Sequence, residues 1–175
     1  MLDVASNPSD AVEQALNRFG DDILRLAYSY LKKREDTEDI VQDVLIRFMQ
    51  SAKVFEDEAH VKAWLLRVAA NLCKDKLKSA SRQREVAIPE GYDVADPSVE
   101  SEYNYSQEEE SGVMKAVMAL PEKYRSVIHL YYFEEYSTVE IADILQKKEA
   151  TVRSLLKRGR EKLEKMMKGD DGHAE

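Results

Sequence analysis

The chain has 175 residues, 43% of them apolar and 34% charged, and a formal net charge of −8 at pH 7. That length allows one domain or two small ones and is short for a large catalytic cleft. A single cysteine, Cys73, excludes an internal disulfide, and the polar opening MLDVASNPSDAVEQ with no long apolar run anywhere excludes a signal peptide and a membrane span, so the expected location is the cytoplasm.

With 6 Gly and 4 Pro against abundant Leu, Ala, Glu and Lys, the composition favours an all-α protein. Residues 1–10, containing Asn7-Pro8-Ser9-Asp10, are expected to be a loose start. From Ala11 to Leu31, Val12, Leu16, Phe19, Ile23, Leu26, Ala27, Tyr30 and Leu31 recur at helical spacing and read as core. A second helix is predicted over Asp36–Val54, with Ile40, Val41, Val44, Leu45 and Phe48 on one side and Glu38, Asp39, Gln42, Asp43 and Arg47 toward the others. Periodicity alone favours a wetted surface there over a protein-binding face. After a break at Phe55–Glu58, His60–Ala80 gives a third helix whose apolar side holds Val61, Trp64, Leu65, Val68, Ala69, Leu72 and Leu77, with Trp64 as a core anchor. Its other side turns basic: Lys62, Arg67, Lys74, Lys76, Lys78, Arg82 and Arg84 face only Asp75, seven cations against one acid.

Between Glu85 and Gly112 the sign reverses, with nine acids and no Lys or Arg, so that the rest of the chain is left near neutral at +1. Pro89, Pro97 and scattered Ser, Asn and Tyr leave too little apolar material to fold alone, and the stretch reads as a flexible acidic linker. It is either a plain tether or a chain that occupies a basic, nucleic-acid-shaped channel in a partner.

A second helical module starts near Val113 with VMKAVMAL, stopped by Pro121, and continues as a helix over Lys123–Phe133 with Tyr124, Val127, Ile128, Tyr131 and Tyr132 as its apolar side. His129 has no metal-ligand neighbour and reads as structural. Ser137 followed by Glu140 is a capping-box signature for a helix starting near Thr138, with Val139, Ile141, Ala142, Ile144 and Leu145 apolar. A polar break at Gln146-Lys147-Lys148 precedes a second helix from Glu149, with Val152, Leu155, Leu156, Leu163 and Met166 or Met167 on one face. Lys147–Lys168 carries nine cations against three acids, a local net charge of +6. A capped short helix before a basic one is the helix-turn-helix arrangement, whose second helix enters a DNA major groove. A solvated bundle helix would account for the cations less fully. Residues 169–175 read as a loose acidic tail.

The segments EDIVQDVLIRF (Glu38–Phe48), AWLLRVAANLCKDKLK (Ala63–Lys78), ALPEKYRSVIHLYYFEEYSTVEIADIL (Ala119–Leu145) and ATVRSLLKRGREKL (Ala150–Leu163), in this order and at these separations, resemble the extracytoplasmic-function (ECF) sigma factors of the bacterial sigma-70 family. The resemblance implies two small helical domains, a sigma region 2 bundle at 11–84 and a sigma region 4 helix-turn-helix at 113–168, joined by the acidic linker at 85–112. It implies binding to core RNA polymerase and direction of that enzyme to promoter DNA for melting and transcription initiation. By similarity Asp39, Gln42 and Asp43 would dock on the clamp helices of the largest polymerase subunit, reversing the reading from periodicity. Asn71 would take an extruded base of the minus-ten element, with the Phe55–His60 loop as part of the pocket, and Lys74, Lys78 and Arg82 would hold phosphates. Lys148, Thr151, Arg153, Ser154, Lys157 and Arg158 would read the minus-thirty-five element. The linker would thread toward the active-site and RNA-exit channels.

Three positions depart from the family pattern: Gln146 replaces the usual turn glycine, Leu155 stands where a basic residue is common, and Gly159 weakens the recognition helix by about 1 kcal/mol relative to alanine. Two DNA-binding modules on one flexible linker can be silenced by a partner that clamps them, so an anti-sigma protein is expected. The rival reading is a stand-alone helix-turn-helix regulator. No cofactor, metal or enzymatic activity is expected, because His60, His129 and His173 are scattered and no Gly-rich phosphate loop occurs.

Overall fold

The structure is a computed structural model that describes residues 4–87 and 112–170. Its described residues are helical throughout apart from short connections, and the chain divides into two compact units, 1–103 and 104–175. The linker expected at 85–112 lies, from residue 88 to 111, outside the described residues, as does the tail from residue 171.

The first unit is a bundle of α1 (Pro8–Leu31), α2 (Arg34–Gln50) and α3 (Glu58–Ala87), each packed against the other two. The loose start expected through residue 10 is shorter than that. Asn7 accepts a hydrogen bond from the Asp10 N–H at 3.3 Å, Pro8 occupies the first turn, and Asp10 places its charge at the positive end of the helix dipole. Val4 is itself buried, at 1% exposure. Ala11, Ala15, Phe19, Ile23, Leu26, Ala27 and Tyr30 form the buried side of α1, and Thr37, Ile40, Val44 and Phe48 that of α2. Val61, Leu65, Leu66, Ala69, Ala70 and Cys73 complete the core from α3. Helix α3 runs past the expected end at Ala80 because SASRQREVA contains neither glycine nor proline to stop it. Asp57 accepts from the His60 N–H at 2.8 Å at its start, and Arg18 of α1 pairs with Glu58. Trp64 sits at the edge of the core, half-buried, in a cluster with Phe48 and Phe55 at ring separations of 5.8 and 5.9 Å.

The second unit consists of α4 (Gly112–Ala119), α5 (Glu122–Ile128), a π-helical turn (His129–Phe133), α6 (Thr138–Leu145) and α7 (Glu149–Asp170), with α7 packed against α4, α5 and α6. Arg125, only 4% exposed, donates to the carbonyls of Leu120 at 2.8 Å and Met118 at 3.3 Å, supplying the acceptor-rich end of α4 with a buried cation. The predicted helix over Lys123–Phe133 changes pitch at His129: the Glu134 N–H reaches back to the His129 carbonyl at 3.2 Å. Tyr132, expected on the apolar side, is 51% exposed, and its hydroxyl accepts from Arg160 Nε at 2.5 Å. The Arg160 guanidinium also covers the rings of Tyr131 and Tyr132, at 5.2 and 5.5 Å. His129 is buried, stacks on Phe133 at 5.5 Å, and holds Nε2 3.4 Å from Glu134 Oε1, a structural setting as expected. Val139 is exposed rather than apolar packing; Met166 and Met167 are partly exposed, and Met167 lines a groove with Val117, Ile128 and Leu163.

The capping box forms in full: the Glu140 N–H donates to Ser137 Oγ at 3.3 Å, and the Ser137 N–H to Glu140 Oε2 at 2.8 Å. The Ser137 N–H, with the Ser137 hydroxyl that also donates to Glu140 Oε2 at 2.8 Å, holds the Glu140 carboxyl below its usual range. At the other end Gln146 itself adopts the left-handed conformation, φ 53°, ψ 48°. The Lys147 N–H then reaches the Ala142 carbonyl at 2.9 Å and the Gln146 N–H that of Asp143 at 3.3 Å, a Schellman closure. A non-glycine residue there carries a steric cost that glycine lacks. Gln146→Gly is therefore expected to stabilise the second unit by about 1 kcal/mol, read as a raised midpoint in calorimetry; an unchanged or lowered midpoint would contradict the strain.

Gly159 has a packing reason that offsets its poor helix propensity. A Cβ there would stand 3.2 and 3.3 Å from Ile128 side-chain atoms and 3.5 Å from Tyr124 Cβ, so its absence sets how closely α5 approaches α7.

Candidate functional site

Three helix faces gather the side chains that the bundles do not use. On α2 the outward stripe, opposite Ile40, Val44 and Phe48, runs Asp39, Gln42, Asp43, Ile46 and Met49 at helical spacing, and all five are exposed. Ile46 and Met49, 48% and 43% exposed, were not singled out from sequence; their i+3 and i+6 relation to Asp43 was the signal that could have found them. Asp39 Oδ2 lies 3.7 Å from Lys76 Nζ, which also bonds Asp36 Oδ1 at 2.8 Å. Burial pulls the Lys76 ammonium down, but the hydrogen bond and charge of Asp36, with those of Asp39, outweigh it and raise its pKa. Lys76 thus fastens α3 to α2, and Lys62 lies 3.4 Å from Asp22 of α1, so part of the basic side predicted on α3 is internally paired.

The α3 face is narrower than its charge count suggested. Asn71, Lys74, Lys78 and Arg82 fall on one stripe at intervals of three and four, opposite the buried Leu65, Ala69 and Cys73. The Asn71 side chain is half-buried and makes no hydrogen bond among the described residues; Lys78 and Arg82 are exposed. The Phe55 end of the connecting loop is anchored through the Phe48–Phe55–Trp64 cluster, with Lys53 Nζ 5.4 Å above the Trp64 ring.

In the second unit Lys148, Thr151, Arg153, Ser154, Lys157 and Arg158 are all exposed, while Val152, Leu155, Leu156 and Gly159 are buried beneath them. Leu155 therefore supplies core where a cation was considered. Arg153 is held by Glu149, whose Oε1 accepts from its Nε at 3.0 Å and from its terminal nitrogen at 2.6 Å. The same oxygen accepts from Thr138 Oγ1 at 2.9 Å. Hydrogen bonds from Arg153 and then Thr138 lower the Glu149 pKa, so the arrangement is complete at neutral pH and lost only as pH falls through that lowered value. Arg160, by contrast, is committed to the two tyrosines.

An acidic helix stripe, a polar-basic helix stripe and a basic helix-turn-helix suit contact with one protein and with nucleic acid at two places. Family models for Sigma-70 region 2 match residues 15–83, and for Sigma-70 region 4 residues 112–163. The chain belongs to the ECF sigma factors. It is 32% identical over 174 residues to the ECF RNA polymerase sigma factor SigW of Bacillus subtilis, covering 94% of this chain and 93% of that one. It is 29% identical to the ECF sigma factor SigM of Mycobacterium tuberculosis, covering 90% of this chain and 77% of the relative. The sigma factor RpoE of Bartonella quintana, solved in complex with the anti-sigma factor NepR, shares the fold at a TM-score of 0.67 and 22% identity, over 89% of this chain and 96% of that one. As a sigma factor the chain acts with core RNA polymerase on promoter DNA to initiate transcription, and two sigma regions in one chain set aside the stand-alone regulator. Among the described residues no helix is long and apolar enough to cross a membrane.

Proposed function

We propose that this sigma factor divides its work among the three faces, with modules at 11–84 and 113–168 joined by residues 85–112. The α2 stripe docks on the clamp helices of the largest polymerase subunit, Asp39, Gln42 and Asp43 supplying charge and hydrogen bonds and Ile46 and Met49 the apolar part of the contact. The observation that carries this is the coincidence of exposed acids and exposed large apolar side chains on one stripe, since a merely wetted surface has no use for the latter.

The α3 stripe takes the minus-ten element. Asn71 supplies an amide whose hydrogen bonds await a base edge, and Lys74, Lys78 and Arg82 continue its line to phosphates. Extruding a base costs a few kcal/mol of unstacking, which capture beside the anchored Phe55 loop offsets. Helix α7 lies in the major groove of the minus-thirty-five element through Lys148, Thr151, Arg153, Ser154, Lys157 and Arg158. Lys157 is exposed on the outward side and serves a phosphate. Lys157→Ala should weaken holoenzyme binding on all promoters alike and reduce the salt slope of log K by about one unit; a change in base preference with an unaltered slope would refute the phosphate role.

The factor works in the cytoplasm as a specificity subunit and not as a catalyst of its own. An anti-sigma protein is its expected regulator; the complex of RpoE with NepR supports this for a similar fold. The deciding experiment is run-off transcription by bacterial core polymerase on randomised promoter libraries, with and without the protein. Defined promoters that appear only on its addition support the reading. Library DNA retained by the protein alone, with no transcripts, would overturn it.

A further inference from the structure

Glu149 is an acid in the midst of a DNA-facing surface, where its charge opposes phosphate, and the structure gives it three hydrogen bonds on a single oxygen. One comes from Thr138, the first residue of α6; two come from Arg153, one turn further along α7. Such a carboxylate ties the supporting helix to the recognition helix and fixes one edge of a guanidinium. An arginine has five N–H donors in a rigid fork. Glu149 takes the Nε hydrogen and one hydrogen of Nη2, leaving the adjacent edge, formed by Nη1 and the second hydrogen of Nη2, as the part still able to make a paired contact. That edge matches the O6 and N7 acceptors of guanine in the major groove.

We propose that Glu149, with Thr138 behind it, is a positioning residue that presents Arg153 in one orientation and thereby sets the preference for guanine at one position of the promoter. This rests on the assignment of Arg153 to the DNA face. A free arginine on an exposed helix samples many rotamers, losing entropy on binding and serving phosphates and bases alike; a paired one has given up part of that freedom before DNA arrives. The arrangement converts a general cation into a reader, and it gives a role to an acid that stands between Lys148 and Arg153.

The test uses holoenzyme assembled with full-length protein and a promoter library randomised across the upstream element. Arg153→Ala, Glu149→Ala, Glu149→Gln and Thr138→Val are compared by sequencing the transcribed templates. Arg153→Ala is expected to relax preference at one base pair by about 10-fold, within the range for a lost bidentate contact. Glu149→Ala is expected to relax the same base pair by roughly half of that on a logarithmic scale, and Glu149→Gln, which keeps the acceptor oxygen, to restore most of it. Thr138→Val should show a smaller relaxation at the same place.

If Arg153→Ala leaves base preference untouched, the DNA assignment of Arg153 fails and the positioning role with it. If Arg153→Ala relaxes one base pair but Glu149→Ala shifts all sequences uniformly, upward through lost repulsion or downward through lost stability, the DNA assignment stands and the positioning role is wrong. Relaxation by Glu149→Ala at a different base pair would mean that Glu149 reads DNA itself, which also overturns the proposal.

Discussion

Phe48→Ala is expected to cost the first unit about 3–5 kcal/mol, the range for deleting a fully buried aromatic side chain. Phe48 is 0% exposed and meets Phe55 of the loop at 5.7 Å and Trp64 of α3 at 5.8 Å, so its removal leaves a cavity walled by those two rings. A domain of roughly 80 residues has a total stability of about 4–12 kcal/mol, so the substitution removes a large share of it. The only tryptophan of the chain, Trp64, is in contact with the deleted group and reports the first unit alone. Urea titration followed by its fluorescence should therefore show a much lower midpoint with an unchanged slope. Val54→Ala, at a side chain 58% exposed, should stay within about 0.5 kcal/mol and serves as the control. A loss below about 1 kcal/mol for Phe48→Ala would mean that the aromatic cluster collapses to fill the space and does not anchor the loop from Ser51 to Asp57.

The same cluster shows what could be read from sequence and what could not. Phe48 was legible as core because it closes the series Ile40, Val44, Phe48 at helical spacing. That Phe55 joins it was not, since Phe55 belongs to no periodic segment and is brought in by a loop in which Ala52 takes a positive φ of 49°. The helix-turn-helix was legible for a related reason: the capping box and the buried Ile141, Ala142, Ile144 and Leu145 are local signals that tertiary structure had no cause to override. The π turn at His129–Phe133 was invisible because a shift from four-residue to five-residue closure leaves no trace in a pattern of apolar residues. The exposed Tyr132 was misread for want of Arg160, its partner 28 positions away. Charge counts misled in the same manner. Lys76 and Lys62 added to the basic side of α3 on paper, whereas in space they neutralise acids of α2 and α1. Which residues share a stripe was readable; their partners on other helices were not.

The stripe on α2 offers the largest expected functional effect. Asp43→Arg should weaken competition for core polymerase by about 100-fold, and Asp43→Ala by about 10-fold, since juxtaposed like charges cost several kcal/mol while loss of one exposed contact costs nearer 1.4. Neither change should move folding stability by more than about 0.5 kcal/mol, because the Asp43 carboxylate is exposed and makes no hydrogen bond or ion pair among the described residues. That separation makes Asp43 a cleaner probe than Asp39, whose loss would also disturb Lys76 and with it the junction of α2 and α3. The measurement is displacement of labelled wild-type protein from core polymerase, repeated at two salt concentrations. A charge-based loss should shrink at the higher one. Asn71→Ala, on α3, should compete as well as wild type yet open promoter DNA poorly, if its amide serves the nucleic acid as proposed. If Asp43→Arg competes undiminished, the acids of α2 are solvated surface after all and polymerase docks elsewhere. If Asn71→Ala instead loses competition, the two faces of the first unit have been assigned the wrong way round.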